Sequence, residues 1–285
     1  MEKLTKADVM NAIRSKRRLL TRTSLVVGFV AALTAVESRS VNAIPLVDGL
    51  GGTSGYGELA MNPNDDGSSD QLSLPFDINF FGSTFDQFFI NNNGNLTFNG
   101  PVSEFTPEAF PTSDRAMIAP FWGDVDTRGS GDGPAGQVFL GSGTDIAGNK
   151  FIAATWSDVS FFGSPANSGG DFEEGDFPDG EFPNEPSGDG PVALASVSQP
   201  NPTNDFQVIL RERADTNVPG STGNFDIDFR YNRLDWTTGT ASGGDSNGLG
   251  GTEAQAGFDA GNNENFFTLP GSQTPDVLEL QNTSN

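Results

Sequence analysis

Three aspartates follow an apolar run in the stretch GDVDTRGSGDG, and their side chains could bind a metal ion. They are Asp124, Asp126 and Asp132, and the glycines around them would let the chain turn about a ligand. Oxygen ligands at alternate positions are typical of calcium loops, but the fifth position counted from Asp124 is Arg128. The pattern therefore predicts an irregular calcium site or, alternatively, a structural strand end in which Arg128 pairs with an aspartate.

A second acidic stretch, MNPNDDGSSD, matches a calcium loop more closely. Asn62, Asn64 and Asp66 occupy its first, third and fifth positions, and Gly67 occupies the sixth. The glutamate expected at the twelfth position is missing, because that residue is Ser73. The stretch predicts a partial calcium site, and a plain asparagine turn is the alternative. Calcium is the one cofactor that the sequence suggests.

The composition narrows the chemistry further, since the chain has no cysteine and no histidine. Disulfides, thiol nucleophiles, histidine-dependent triads and the usual zinc ligands are therefore excluded. A glycosidase would need two carboxylates in different environments. Asp124 and Asp126 are two positions apart on a predicted strand, so they share a face and similar surroundings. A carboxylate hydrolase is thus the weakest of the functional hypotheses.

Residues 1–43 have the composition of a secretory signal peptide. They contain eight basic and three acidic residues, an apolar run from Ser24 to Val36, and a small-residue cleavage site ending at Ala43. Without this segment the chain keeps seven basic and 35 acidic residues, a net charge of −28. Such a charge repels nucleic acids and anionic membranes and attracts cations and basic partners. We therefore predict a secreted protein that binds no nucleic acid and does not insert into a membrane after signal removal.

Short apolar runs with a period of two recur after residue 43, separated by glycine, asparagine and aspartate. In FDIDFRY, residues 225–231, every second residue is apolar. Such runs, without a helical period between them, predict an all-β fold, an antiparallel β-sandwich-like domain. The sequence Asn92-Asn93-Gly94 predicts a tight hairpin, because asparagine and glycine tolerate positive φ.

An acidic segment interrupts the strand pattern at residues 163–203. Phe172, Phe177 and Phe182 recur in it every five residues, which is the period of neither a strand nor a helix. We therefore predict a long acidic loop insertion. The three phenylalanines are a candidate partner-binding segment for a basic protein, and a solvated loop without a partner is the alternative.

Several of these pieces together resemble the nidogen-like (NIDO) domain family, in particular its bacterial exported members. They are FFGSTFDQFFINNNGNLTFNG and MIAPFWGDVDTR, followed in the family's order by GQVFLG, ATWSDVSFF, NDFQVILRE and FDIDFRYNRLDW. The resemblance covers most of residues 72–285. With it, the chain divides into a signal peptide at 1–43, a β-rich lead-in at 44–116 and a NIDO-like domain at 117–285.

The resemblance implies an extracellular module of cell–matrix adhesion with no catalytic residues. Family members usually continue through a further strand, so either that strand is dispensable here, which would leave an exposed sheet edge, or the sequence is a fragment. The positions that match the family motif are expected to be architectural, and they are Phe121, Trp122, Asp124, Asp126, Thr127, Arg128, Trp156, Trp236, Gly257 and Phe258.

We therefore predict a secreted, non-enzymatic NIDO-type module for cell–matrix adhesion. Its expected partners are extracellular matrix or cell-surface macromolecules. The alternative is a calcium-dependent carbohydrate-binding module, in which surface aromatic rings would stack on sugars. Only three tryptophans and two tyrosines are available for such stacking, and most of them are expected in the interior.

Overall fold

The computed structural model describes five segments of the chain. They are residues 45–112, 115–129, 135–167, 201–216 and 222–282. Several predictions lie outside these residues and have no structural outcome, namely the signal peptide, Asp132, the phenylalanines Phe172, Phe177 and Phe182, and most of the acidic insertion at 163–203.

Twelve strands and three short 3-10 helices make up the regular structure of the described residues. The strands are β1 (Glu58–Leu59), β2 (Leu72–Phe80), β3 (Ser83–Asn91), β4 (Asn95–Thr97), β5 (Ala116–Trp122), β6 (Val125–Asp126), β7 (Gln137–Thr144), β8 (Lys150–Phe161), β9 (Asn204–Glu212), β10 (Phe225–Leu234), β11 (Gln255–Ala260) and β12 (Phe266–Thr268). The helices are Ala214–Thr216, Thr240–Ser242 and Pro275–Asn282. In the described part of the chain, no helix is long and apolar enough to cross a membrane.

The strands form two antiparallel sheets. Strands β1, β7, β8, β9 and β10 lie side by side in that order in the first sheet, where β6 also pairs with β8. The second sheet has the order β12, β11, β5, β4, β3 and β2. Lead-in strands thus share a sheet with strands of the NIDO-like segment. The two sheets confirm the predicted all-β, antiparallel, sandwich-like fold.

Aromatic side chains from both sheets meet in the main hydrophobic core. Trp156 on β8 stacks on Phe206 of the neighbouring β9, with ring centroids 5.1 Å apart and an interplanar angle of 15°. Phe121 on β5 of the other sheet lies 5.4 Å from the Phe206 ring. Trp236 meets Phe121 edge-on at 5.5 Å. These four large side chains hold the sheets together at their centre.

Strand β5 is buried on both faces, which explains its unbroken apolar sequence AMIAPFW. All seven of its residues are buried. Ile118 packs in the main core, whereas Met117 and Trp122 belong to a second, smaller cluster with Val102 and Phe110. The long connection between β4 and β5 supplies the last two residues and so covers the outer face of the strand.

The predicted hairpin at residues 92–94 joins β3 to β4. Gly94 has a φ of +82°, as the turn requires, but Asn92 and Asn93 are not among the residues with positive φ. Their side chains instead bind the first residue of β6: Nδ2 of Asn92 donates to the Val125 carbonyl at 2.6 Å, and Oδ1 of Asn93 accepts from the Val125 N–H at 3.0 Å. The expected reason for the asparagines is therefore wrong, because these positions require amide side chains rather than positive φ.

The lead-in segment is attached to both sheets before β2 begins. The N–H of Val47 donates to Oε1 of the buried Gln207 at 2.9 Å, and Nε2 of Gln207 donates to the Val47 carbonyl at 3.0 Å. Strand β1 then pairs with β7 at the edge of the first sheet. Further on, the N–H of Ser69 donates to the carbonyl of Ile90 on β3 in the second sheet, at 2.8 Å. The loop between β1 and β2 therefore crosses from one sheet to the other.

Candidate functional site

The two acidic stretches meet at one place in the structure. Asp65 and Asp66 lie in the loop between β1 and β2, and Asp124 lies in the turn between β5 and β6. One carboxylate oxygen from each of these residues lies within 4.8 Å of the others. The amide of Asn93 donates to Oδ1 of Asp66 at 2.9 Å. Two stretches that were predicted as separate calcium sites thus form one group, which we call the three-aspartate cluster.

The other predicted ligands of the β1–β2 loop form a turn. Oδ1 of Asn64 accepts from the Gly67 N–H at 2.7 Å, and Nδ2 of Asn64 donates to the Asn62 carbonyl at 2.7 Å. This is the geometry of the asparagine turn, the alternative reading of the stretch. The spacing pattern missed Asp65, for which the pair of adjacent aspartates was the available signal.

Hydrogen bonds to the rest of the domain hold the part of the β1–β2 loop that carries Asp65 and Asp66, which we call the acidic loop, in position. Nδ2 of Asn92 donates to the carbonyl oxygens of Asp65 and Asn64, the second at 3.3 Å. The Asn64 N–H donates to Oγ1 of Thr127 at 2.8 Å, and the Thr127 N–H donates back to the Asn64 carbonyl at 3.0 Å. The carboxylates of the loop are therefore supported by the hairpin and by the residues that follow β6.

Asp124 is the buried member of the cluster. It is 2% exposed, and among the described residues its Oδ2 has no hydrogen-bond partner. Gly239 lies so close that a Cβ there would come within 2.3 Å of this oxygen. Burial first, and then the charges of Asp65, Asp66 and Asp126, raise the pKa of Asp124 to about 7. The site thus holds one carboxylate oxygen, Oδ2 of Asp124, away from water and from the hydrogen-bond donors of the described residues.

Asp65 shares this environment at the edge of the cluster. Burial, followed by the charges of Asp126 and Asp66, raises its pKa to about 6. Its Oδ2 lies 2.9 Å from Nη2 of Arg128, whereas its buried Oδ1 has no partner among the described residues. Two members of the cluster therefore each keep one carboxylate oxygen without a donor, which is uncommon in folded proteins.

Arg128 pairs with the fourth aspartate of this region, Asp126. Its Nε and Nη2 donate to the two carboxylate oxygens at 3.0 and 2.7 Å, and its backbone N–H donates to Oδ1 at 3.0 Å. Asp126 is 1% exposed, so this two-pronged ion pair satisfies a buried charge. Both carboxylate oxygens of Asp126 are therefore bound by Arg128, and Asp126 is not part of the three-aspartate cluster.

We expect Arg128→Ala to lower the free energy of unfolding by about 1.5–3 kcal/mol, because Asp126 would stay buried without its charged donor. The arginine side chain itself is 51% exposed, which places the loss below that of a fully buried pair. Arg128→Lys keeps the charge but not the forked geometry, so we expect an intermediate loss. Urea unfolding of the three proteins measures these differences. Equal stability of the alanine variant and the wild type would contradict this role of Arg128.

The aromatic side chains that a sugar-binding face would use are mostly buried. Trp122, Trp156 and Trp236 are each 0% exposed, and Tyr231 is 3% exposed. The Tyr231 hydroxyl donates to the carbonyl of Pro120 at 2.8 Å. The three indole rings therefore pack the interior and leave none at the surface for stacking on a sugar.

Comparison with known proteins identifies the family. Residues 86–285 match the family model described as Nidogen-like domain. The chain belongs to this family. Asp124 and Arg128 lie inside the residues that match the nidogen-like family model, whereas Asp65 and Asp66 precede those residues. The three-aspartate cluster thus combines the family segment with the part of the chain in front of it.

Two α-tectorins and a nidogen are among the proteins similar to this nidogen-like domain. α-Tectorin from Mus musculus is 39% identical and α-tectorin from Homo sapiens 38% identical, each over 227 residues that cover 78% of this chain and 9% of the tectorin. Nidogen from Drosophila melanogaster is 26% identical over 249 residues, which cover 80% of this chain and 15% of that nidogen. The chain therefore spans a small part of the length of these relatives. No solved structure matches it.

The relatives bear on the predicted localisation and origin. α-Tectorin and nidogen are secreted proteins of the extracellular matrix, and this nidogen-like domain is likewise extracellular, as its sequence predicts. The relatives named here are animal proteins, so the resemblance to bacterial exported members finds no support in these comparisons. The family confirms the matrix-related part of the predicted function.

Proposed function

We propose that this nidogen-like domain is a non-enzymatic adhesion module that binds a basic macromolecule of the extracellular matrix or the cell surface. The observation that carries the proposal is how the domain uses its own arginines. All six arginines after residue 43 lie in the described segments, and each forms an ion pair with a carboxylate of the same domain. They are far outnumbered by the 35 acidic residues of this part of the chain. The seventh basic residue, Lys150, donates to the carbonyl of Pro75, so carboxylates without an internal ion pair remain free to attract a cationic partner.

Carboxylates without an ion pair are present on the exposed surface of the second sheet. Asp77 on β2, Asp86 on β3 and Glu264 just before β12 are exposed. Since the described arginines pair with other acidic residues, a basic partner could approach these side chains without displacing an internal ion pair. Attraction of this kind speeds association and weakens with salt.

The surroundings of the carboxylates support a non-enzymatic function. Asp126 is held by Arg128, and Asp124 is 2% exposed, so the pair considered for acid–base chemistry does not face solvent. The chain also has no histidine or cysteine to act as base or nucleophile. Asp126 is thus committed to a structural ion pair, and burial closes Asp124 off from a substrate in solution.

Retention of matrix proteins separated by charge tests the proposal. The purified chain is immobilised and exposed to basic and acidic fractions of a matrix extract, and we expect the basic fractions to be retained. Raising NaCl from about 0.1 M to about 1 M shortens the screening length from about 10 Å to about 3 Å, and it should release what is bound. Retention that does not depend on salt, or equal retention of acidic fractions, would argue against the proposal.

Two variants separate the surface charges from the acidic segment. A triple variant, Asp77→Asn with Asp86→Asn and Glu264→Gln, removes exposed charges without breaking an ion pair, and it should slow association several-fold.

A chain that lacks residues 168–200 tests the predicted docking segment with its three regularly spaced phenylalanines. If that segment docks the partner, the deletion should abolish capture without changing the melting temperature. Unchanged capture would discard it as a docking segment.

A further inference from the structure

We propose that the three-aspartate cluster, Asp65, Asp66 and Asp124, is a calcium-binding site. Oxygen ligands lie about 2.3–2.6 Å from a calcium ion, so two ligands of one ion are at most about 5 Å apart. The three carboxylate oxygens of the cluster lie within 4.8 Å of one another. A single ion can therefore contact all three.

The unsatisfied oxygen of Asp124 is an independent indication of a ligand. Asp124 is 2% exposed, and its buried Oδ2 receives no hydrogen bond from any described residue. Burying a carboxylate oxygen without a partner is strongly unfavourable, so such oxygens are rare unless an ion or a water completes them. The buried Oδ1 of Asp65 also lacks a donor. Both oxygens belong to carboxylates of the cluster.

The excess of carboxylates around Asp124 also favours binding of a cation. Asp65, Asp66 and Asp126 all act electrostatically on Asp124, and Arg128 is the basic side chain that opposes them. The guanidinium of Arg128 is already used by Asp126 and by Oδ2 of Asp65. Four carboxylates thus share one guanidinium in this region, and a bound dication would offset their mutual repulsion.

The available donors favour calcium among the common divalent cations. The chain contains no cysteine or histidine, which are the preferred ligands of zinc and copper. Magnesium usually takes one or two carboxylates and demands a strict octahedron with several waters. Here three carboxylates come from two loops, and the half-buried Asp65 and Asp66 leave access for water to complete the larger, more flexible shell of calcium.

A bound ion would join two parts of the chain that are distant in sequence. Asp65 and Asp66 precede the residues that match the family model, whereas Asp124 lies within them. The ion would add to the hydrogen bonds that already hold the acidic loop to Asn92 and Thr127. Calcium would thus fasten the lead-in to the β5–β6 turn.

Calorimetric titration of the purified, chelator-treated chain with calcium tests the site. We expect saturable binding, and a melting temperature that rises by about 5–10 °C when free calcium exceeds the Kd about a hundredfold. Magnesium at the same concentration should produce a smaller rise. An absence of heat together with an unchanged melting temperature would overturn the proposal. An equal response to magnesium would overturn the choice of calcium.

Single substitutions then locate the binding. Asp124→Asn and Asp66→Asn should each weaken calcium binding at least tenfold, whereas Asp86→Asn, on the exposed surface of β3, should bind like the wild type. Without calcium, Asp124→Asn should melt no lower than the wild type, because Oδ2 receives no hydrogen bond that the substitution would remove. An aspartate with a purely structural role would show the opposite. If Asp124→Asn does not fold, the half-buried Asp66→Asn gives the same test, and undiminished calcium binding there would overturn the assignment.

Discussion

Gly94→Ala is expected to lower the free energy of unfolding by about 2–5 kcal/mol. Gly94 has a φ of +82°, where a residue with a Cβ is strained by about 1–2 kcal/mol. A Cβ at this position would also lie 1.8 Å from the carbonyl oxygen of Phe121. Because that oxygen belongs to the backbone of the buried strand β5, it cannot move without disturbing the core, and we expect overpacking to add about 1–3 kcal/mol.

Gly82→Ala is the matched control that separates backbone strain from this contact. Gly82 also has positive φ, at +97°, but a Cβ there would meet nothing within 4 Å. We expect this variant to lose only the strain, about 1–2 kcal/mol. Urea unfolding of both variants measures the difference. Equal losses would show that the approach to β5 is not the reason for glycine at position 94.

The contact between the β3–β4 hairpin and β5 also affects the three-aspartate cluster. The N–H of Phe121 donates to the Gly94 carbonyl at 3.3 Å, and the N–H of Gly123 donates to the Asn93 carbonyl at 3.2 Å. A shift of the hairpin against β5 would therefore move Asn93, whose amide holds Asp66. We expect Gly94→Ala to weaken calcium binding in addition to destabilising the fold, whereas Gly82→Ala should leave binding unchanged.

Trp156→Ala is the second substitution with a large expected effect, a loss of about 3–5 kcal/mol in the free energy of unfolding. Trp156 is 0% exposed and stacks on Phe206. Its Nε1 donates to the carbonyl of Asn92 at 2.9 Å, which links the first sheet to the hairpin of the second. The substitution would leave both a cavity and a buried carbonyl without this donor.

Trp156→Phe divides the loss between packing and hydrogen bonding. Phenylalanine keeps an aromatic ring against Phe206 but removes the N–H group, so we expect a smaller loss of about 1–3 kcal/mol. Thermal and urea unfolding of the two variants provide the comparison. A phenylalanine variant as unstable as the alanine variant would mean that the bond to Asn92, and not the ring, determines the stability of this position.

Alternating strands could be predicted from the sequence because one of their faces is solvated. On β2, residues Leu74, Phe76, Ile78 and Phe80 are buried while their neighbours between them are exposed. That period of two arises because successive side chains of a strand point to opposite faces of the sheet and only one face is buried. Strand β5 shows no such period because a second cluster covers its other face.

The three-aspartate cluster could be predicted only in pieces. Local spacing drew attention to Asp66 and to Asp124, but their meeting depends on a loop that crosses from one sheet to the other. Asp65 carried no spacing signal at all. Asn92 and Asn93 could be identified as turn residues, whereas their use as amide donors and acceptors depends on partners about 30 residues away, such as Val125. Spacing patterns describe residues that are close in sequence, whereas this cluster is built from residues that are close only in the folded structure.

The attachment of the lead-in gives this module a defined order of yielding under mechanical tension. A pull on the chain from its N-terminal side would first load the bonds between Val47 and Gln207 and the two-residue strand β1. The much longer pairing of β9 with β10 would be loaded only afterwards. The loop of Asp65 and Asp66 comes next along the chain, and its own bonds to Asn92 and Thr127 would carry the load once β1 has separated.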